Sequence, residues 1–435
     1  MENLYIWGTT LVLMIIIVLP YAAKSLKRRR TDHKKRDEAV KLGAHKAIAQ
    51  HPQIDALRCI GCGACVDACP EGSVLGIVKG KAVIINGLKC VGHGMCAEAC
   101  PVEGITVGLG DLSKRDDIPA MDTSYQTNIP GIYIAGELGG LALIKNAINQ
   151  GTIVAKNIAA TIEPSTNKNI YDIVIVGAGP AGLSAALTAR ENNLSFKILD
   201  QQGAGGTILQ YPRKKLVMTK PVTIPLYGTL KKPEYRKEEL LEIWEQVEKK
   251  YNLEPEIGAL ETIKKEAGYF EVITKNRTFY SQTVVLALGR RGTPRKLGVP
   301  GEEQSKVMYQ LMDAESYTDN HILVVGGGDS AIEAAMGLAR QKGNTVTISY
   351  RKEKFFRIKT RNEQRLNELV AKKEIKVVFN SEVKNIRKED VILKYQEQEY
   401  KLKNDYVFVF AGGEPPFALL KKIGIQFGML AENAA

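Results

Sequence analysis

Residues 172–182 read Asp-Ile-Val-Ile-Val-Gly-Ala-Gly-Pro-Ala-Gly, a short apolar strand that runs straight into glycines at 177, 179 and 182. The Leu-Ser-Ala-Ala-Leu-Thr-Ala-Arg that follows over 183–190 continues as a helix. Gly177, Gly179 and Gly182 therefore stand at a strand-to-helix turn, where missing side chains admit a pyrophosphate onto the helix N-terminus. A second strand, Phe196 to Leu199, ends in Asp200, at the right distance to bind a ribose hydroxyl. The pattern then recurs: His321-Ile-Leu-Val-Val325 leads into Gly-Gly-Gly-Asp-Ser-Ala-Ile-Glu-Ala-Ala, with Gly326, Gly328 and Ala331 in the fingerprint positions. One such turn is weak evidence, but two, each with its strand and helix, read as two dinucleotide sites. Beyond the second, Val346 to Ser349 leads into Tyr350-Arg351-Lys352, where an NAD-specific protein would more often place an acid, so NADPH is favoured over NADH.

The cysteines point elsewhere. All seven lie between Cys59 and Cys100, a clustering that suggests metal ligation in a reducing compartment and not a disulfide framework. Cys59, Cys62, Cys65 and Cys69, followed by Pro70, form the C-x2-C-x2-C-x3-C-P run of bacterial iron-sulfur ferredoxins. Gly61 and Gly63 would let backbone amides approach the cluster. Cys90, Cys96 and Cys100 before Pro101 make a second, related run, and residues 78–83 between the two read as a short hairpin. Zinc is the weaker reading, because structural zinc sites use two separate C-x2-C pairs. By resemblance to two-cluster ferredoxins, Cys59, Cys62, Cys65 and Cys100 hold one 4Fe-4S cluster and Cys69, Cys90 and Cys96 a second. His93 stands where that family has a further cysteine. An imidazole ligand, a 3Fe-4S cluster and an ordinary surface histidine all remain open at this point.

Length and charge frame these motifs. At 435 residues, with 44% hydrophobic and 25% charged residues, the chain is globular and long enough for about three domains. The net charge of +12 is partly local, since Lys24 to Arg36 holds eight Lys/Arg against one Asp. That placement favours membrane phosphates as the partner and argues against nucleic acid. Just before it, Leu4 to Ala23 carries no charge and is long enough for a membrane-spanning helix. Glu2 before this run and KSLKRRR after it fit an uncleaved anchor better than a signal peptide, and the positive-inside rule then places the body in the cytoplasm. The expectation is a single-pass protein of the inner, cytoplasmic membrane.

Residues 110–435 resemble thioredoxin-reductase-like flavoproteins, including the ferredoxin–NADP reductases of that type. GAGPAG (177–182), ALGRRGTPRKLGVPGE (287–302) and GGGDSAIEAA (326–335) occur in the family's order, with the NAD(P) domain inserted into the FAD domain. One piece is displaced. The family's C-terminal FAD segment is missing after Phe427 and is matched instead by Thr127-Asn-Ile-Pro-Gly-Ile-Tyr-Ile-Ala-Gly-Glu137, with 143–158 as its helix, so the flavoprotein reads as circularly permuted. The resemblance implies that Gly136 and Glu137, the latter in place of an aspartate, face the flavin ribityl chain. It also implies that amides near Lys145, Asn146 and Ala147 face the flavin pyrimidine edge.

The expected fold class is α/β. Two Rossmann-like dinucleotide-binding domains, for FAD and NAD(P), accompany a small α+β dicluster ferredoxin domain and one N-terminal transmembrane helix. The expected boundaries are an anchor over 1–23, a basic helical stalk over 24–50 and the ferredoxin domain over 51–108. The displaced FAD segment follows over 109–165, the main FAD part over 166–293, the NAD(P) domain over 294–410 and the return to the FAD domain over 411–435. The implied activity is electron transfer between NADPH (or NADH), FAD and two iron-sulfur clusters, to or from a ferredoxin, a quinone or a membrane partner. No acid–base side chain is singled out as catalytic. A thiol/disulfide reductase and a non-catalytic relay or redox-sensing subunit of a membrane complex are the rival readings, and a homodimer is an open alternative.

Overall fold

The computed structural model describes residues 2–45, 50–108, 117–140, 143–218, 221–232, 234–290 and 292–428. The chain divides into two compact units, Met1–Gly110 with Lys359–Arg361, and Asp111–Ile358 with Asn362–Ala435.

The first unit begins with one continuous helix, Glu2–Lys41. The apolar run expected to span a membrane over 4–23 is helical, but it forms only the leading half of this element, and the trailing half carries the Lys/Arg-rich run. Among the described residues no helix is long and apolar enough to cross a membrane, so the transmembrane expectation is not supported. The basic stretch, expected as a helical stalk over 24–50, is helical up to Lys41 and packs against the rest of this unit. Asp32 is buried and its Oδ2 accepts a hydrogen bond from the Ile77 amide at 3.0 Å. Gly76 makes this approach possible, because a Cβ there would stand 2.9 Å from the Asp32 carboxylate. Arg28 reaches Asp67 at 2.6 Å on the exposed side.

The rest of the unit is built twice over. His51–Ile54 pairs antiparallel with Ile105–Gly108, and Leu75–Val78 with Lys81–Ile84. The second pair is the hairpin expected over 78–83, closed by Lys79 and Gly80 at φ 50° and 76°, the left-handed pair that a two-residue hairpin turn requires. Two four-residue helices, Ala64–Asp67 and Met95–Glu98, follow glycines in left-handed conformation. The apolar core is small, with Val74, Leu75, Ile77, Ala82 and Ile105 packed against Cys59, Cys65 and Cys96.

In the second unit, seven strands make one sheet. Its order is Glu256–Ile257, Phe196–Asp200, Ile170–Val176, Thr278–Leu286, Phe270–Thr274 and Leu260–Lys265, with Ile132–Ile134 also paired to Thr278–Leu286. Val284 and Leu286 lie opposite Val174 and Val176 on one side and opposite Ile132 and Ile134 on the other, parallel on both. Helices Ile144–Thr161 and Pro180–Glu191 pack together through Val154, Ala155, Ile158, Leu183 and Ala186, all buried. A second, parallel sheet runs in the order Val307–Met308, Tyr406–Val409, His321–Val325, Thr345–Tyr350 and Ile375–Phe379. Both glycine turns therefore follow a central strand of a mainly parallel or wholly parallel sheet, at its carboxyl end. The helix Phe417–Ile423 returns to the first sheet, where Leu420 and Ile425 join the cluster of Ile132, Val174 and Leu286.

Replacing Asp32 with Ala leaves the buried Ile77 amide without its acceptor. This should lower the stability of the first unit by about 1–3 kcal/mol, measured as an earlier urea midpoint for loss of visible iron-sulfur absorbance.

Candidate redox sites

At the first turn, Gly177 adopts φ 114°, and a Cβ on it would stand 2.3 Å from the Ala287 carbonyl oxygen. A Cβ on Gly182 would stand 1.8 Å from the Gly177 oxygen, so the helix meets the strand too closely for any side chain. Gly179 is the N-cap of helix Pro180–Glu191. Asp200 ends the neighbouring strand, and its Oδ2 accepts from the Ala178 amide at 2.7 Å, which sets the carboxylate over the turn. Gly136, at φ 84°, donates its amide to Gln150 Oε1 at 2.8 Å. A Cβ placed on it would lie 3.0 Å from the Ala181 Cβ and 3.8 Å from the Ala147 Cβ. The Gly136–Glu137 turn and the first turns of helices Ile144–Thr161 and Pro180–Glu191 thus converge. Glu137, Asn146 and Ala147 are half-buried at this meeting point. Two helix N-termini side by side present amides and positive dipole ends, the donor set that a dinucleotide pyrophosphate and an electron-rich ring edge need.

The second turn repeats the economy. Gly326 has φ 144°, and a Cβ there would meet the Phe410 oxygen at 2.6 Å. Ala331 is buried in the first turn of helix Asp329–Ala339, and Gly328 is its N-cap. Gly327 has to be bare because the Tyr350 ring covers it, with ring atoms 2.2 Å from a Cβ built there. Tyr350 in turn stacks on Phe355 at 5.4 Å. Arg351 and Lys352 are exposed beyond this ring, and the Lys352 ammonium lies 5.4 Å above the Phe356 ring. The sequence reading missed Arg357, whose guanidinium lies 3.8 Å from a Cβ built on Gly328, nearer the phosphate end of the turn than the chain position suggests. Its signal was a fourth cation, after Lys352 and Lys354, seven residues into the segment that opens with Arg351.

In the first unit the cysteines ring two cavities. Cys59, Cys62, Cys65 and Cys100 line one, and Cys69, Cys90, Cys96 and His93 line the other. Among the described residues no three such side chains converge on a point as the ligands of a single ion would. Backbone amides address the sulfurs, Ala82 to Cys59 Sγ at 3.3 Å and Gly104 to Cys100 Sγ at 3.2 Å. Burial, with the neighbouring thiols adding to it, pushes Cys65 up to about 11, and burial does the same for Cys90. Thiols so placed are poor anions unless iron compensates their charge. His93 is nearly buried, its Nε2 3.6 Å from Glu71 Oε1, so it is not an ordinary surface histidine.

Comparison with known proteins fits these sites. Residues 174–432 match the pyridine nucleotide-disulphide oxidoreductase family and residues 51–101 a 4Fe-4S dicluster domain. The chain belongs to the pyridine nucleotide-disulphide oxidoreductase family, as a flavin-dependent enzyme that also carries an iron-sulfur domain. A bacilliredoxin reductase of Bacillus subtilis is 27% identical over 260 residues, 58% of this chain and 80% of that protein. A ferredoxin–NADP reductase of Ignicoccus hospitalis is 28% identical over 265 residues, 59% of this chain and 81% of that protein. Another, from Bacillus cytotoxicus, is 30% identical over 256 residues, 53% of this chain and 74% of that protein. Among solved structures, a bacillithiol disulfide reductase from Staphylococcus aureus superposes with a TM-score of 0.54 at 27% identity, covering 59% of this chain and 81% of that one.

Replacing Arg351 or Arg357 with Ala should raise the KM for NADPH by roughly tenfold, as loss of one charge-assisted hydrogen bond would, and leave the KM for NADH almost unchanged. Steady-state kinetics with both nucleotides checks this.

Proposed function

We propose that the protein passes electrons between NADPH and a one-electron acceptor or donor by way of FAD at the first glycine turn and two 4Fe-4S clusters in the first unit. Bound flavin supplies the exchange between two-electron hydride chemistry and single-electron transfer. The chain's own groups do the rest. Amides at Gly177–Gly182 and Gly326–Gly328 hold the two pyrophosphates, Asp200 and Glu137 accept hydroxyl hydrogen bonds, and Arg351, Lys352 and Arg357 select the 2′-phosphate. The cysteines and His93 hold iron in the two cavities they line. A ferredoxin, a quinone or a membrane partner would serve at the far end, in either direction.

The observation that carries this reading is the division of labour: all seven cysteines lie between 59 and 100, and both nucleotide turns lie outside that segment. A disulfide reductase is favoured by the printed activities of two relatives, bacilliredoxin reductase and bacillithiol disulfide reductase. Against it, no cysteine stands in the second unit to receive a hydride equivalent from flavin.

The segment 118–161 reads in this account as the family's closing FAD strand and helix moved in front of the first glycine turn. Its support is the parallel pairing of Ile132–Ile134 with Thr278–Leu286 and the bond from the Ala120 amide to the Gln426 oxygen at 2.8 Å, which joins it to the end of the described chain. Membrane attachment is proposed on the uncharged run Leu4–Ala23, whose Trp7, Ile16, Ile17 and Leu19 are exposed, with the Lys/Arg run on the cytoplasmic side.

The full-length protein should oxidise NADPH steadily with ferricyanide and reduce low-molecular-weight disulfides only at background rate. No turnover with ferricyanide would make it a relay subunit, and disulfide reduction at a matching rate would make it a thiol-linked enzyme. A phosphatase reporter fused after Ala435 should stay inactive and a fluorescent one should glow, both in the membrane fraction. The opposite pair would reverse the orientation.

A further inference from the structure

The two arms of the first unit correspond residue by residue. Cys59-Ile-Gly-Cys62-Gly-Ala-Cys65 carries left-handed glycines at 61 and 63, with φ 70° and 87°. Cys90-Val-Gly-His93-Gly-Met-Cys96 carries them at 92 and 94, with φ 77° and 84°. Each arm then opens a four-residue helix. Cys62 and His93 therefore occupy the same slot on the same backbone. The remote cysteine of each cavity is followed alike, by Pro101-Val102 after Cys100 and by Pro70-Glu71 after Cys69. Val102 lines the first cavity and Glu71 the second. Cysteine becomes histidine and valine becomes glutamate in one and the same cavity.

The charges account for the pairing. A neutral imidazole in place of a thiolate removes one negative charge from the ligand shell, and the Glu71 carboxylate returns one just outside it. A carboxylate there is otherwise costly, since it is 6% exposed. Its Oε1 faces His93 Nε2 at 3.6 Å and Lys359 at 3.2 Å, the latter from the short segment that belongs to this unit. Metal-ligating histidines generally present their second ring nitrogen to a carboxylate or carbonyl, which fixes tautomer and orientation.

We infer that Glu71 is the positioning residue of His93: its carboxylate takes the Nε2 side of the ring and leaves Nδ1 as the nitrogen available to iron. This rests on the reading of His93 as a ligand of the second cluster, and the experiment separates the two. Pulsed electron paramagnetic resonance on the reduced, cluster-loaded full-length protein should show a strongly coupled ring nitrogen. Glu71→Val should lose that coupling and shift the potential of the second cluster, with the first cluster unchanged. In a His93→Cys background, which restores a thiolate in the slot, adding Glu71→Val should leave iron content and spectra as in His93→Cys alone. No nitrogen coupling in the unaltered protein would overturn ligation by His93. Coupling and potential the same with and without Glu71→Val would overturn the role of Glu71 alone. Loss of the cluster in the double variant, but not in His93→Cys, would reduce Glu71 to a structural part and overturn it equally.

Discussion

The architecture of the second unit hangs on the strand Thr278–Leu286. It is paired over its second half on both edges, with Ile170–Val176 and with Ile132–Ile134, and over its first half with Phe270–Thr274. Parallel pairing on both sides leaves it buried between helices and sheet, so it has to be a near-continuous apolar run, and Val284, Val285 and Leu286 supply that run without exposed atoms. Because the Gly177 turn abuts the Ala287 carbonyl at the end of this strand, any shift in its register would displace that glycine turn as well. Among the described residues the first unit buries no comparable apolar strand. Its small core sets Cys59, Cys65 and Cys96 among Val74, Leu75, Ile77, Ala82 and Ile105, so the fold and the thiols share one packing unit, as in small metal-dependent domains.

A second organising group is Asp172, buried at the start of the first fingerprint strand. Its carboxylate accepts from the Ser165 amide at 2.6 Å and from the Ser195 amide and hydroxyl at 2.7 and 2.8 Å. It thereby ties the polar linker before the strand to the turn before the next one. In sequence it reads only as the polar edge of an apolar run, because the donors that satisfy it come from distant positions.

That contrast runs through the molecule. The glycine turns and cysteine runs were legible because their chemistry is fixed by spacing along the chain: a turn that touches phosphate needs bare positions at set intervals, and thiolates around a cluster need a set reach. The strand Ile132–Ile134 was legible as an apolar run, though only the sheet places it against Thr278–Leu286. Glu71, Arg357 and Asp32 were not legible. Each acts across a fold, and a lone charged residue in sequence carries no sign of what it will face. The N-terminal run is legible as apolar by composition, but not that helix Glu2–Lys41 continues through it into the charged segment and docks by Asp32.

The pairing of Ile132–Ile134 with Thr278–Leu286 also imposes an order on the birth of the protein. On the ribosome, 132–134 emerges early, yet its partner leaves the tunnel about 150 residues later, roughly ten to thirty seconds at ordinary synthesis rates. During that interval an apolar strand and the helix Ile144–Thr161 wait with no sheet to join, while the cysteine-rich region ahead of them is already complete in sequence and free to take up iron. Maturation of the iron-sulfur region and closure of the sheet are thus separated in time by the topology itself.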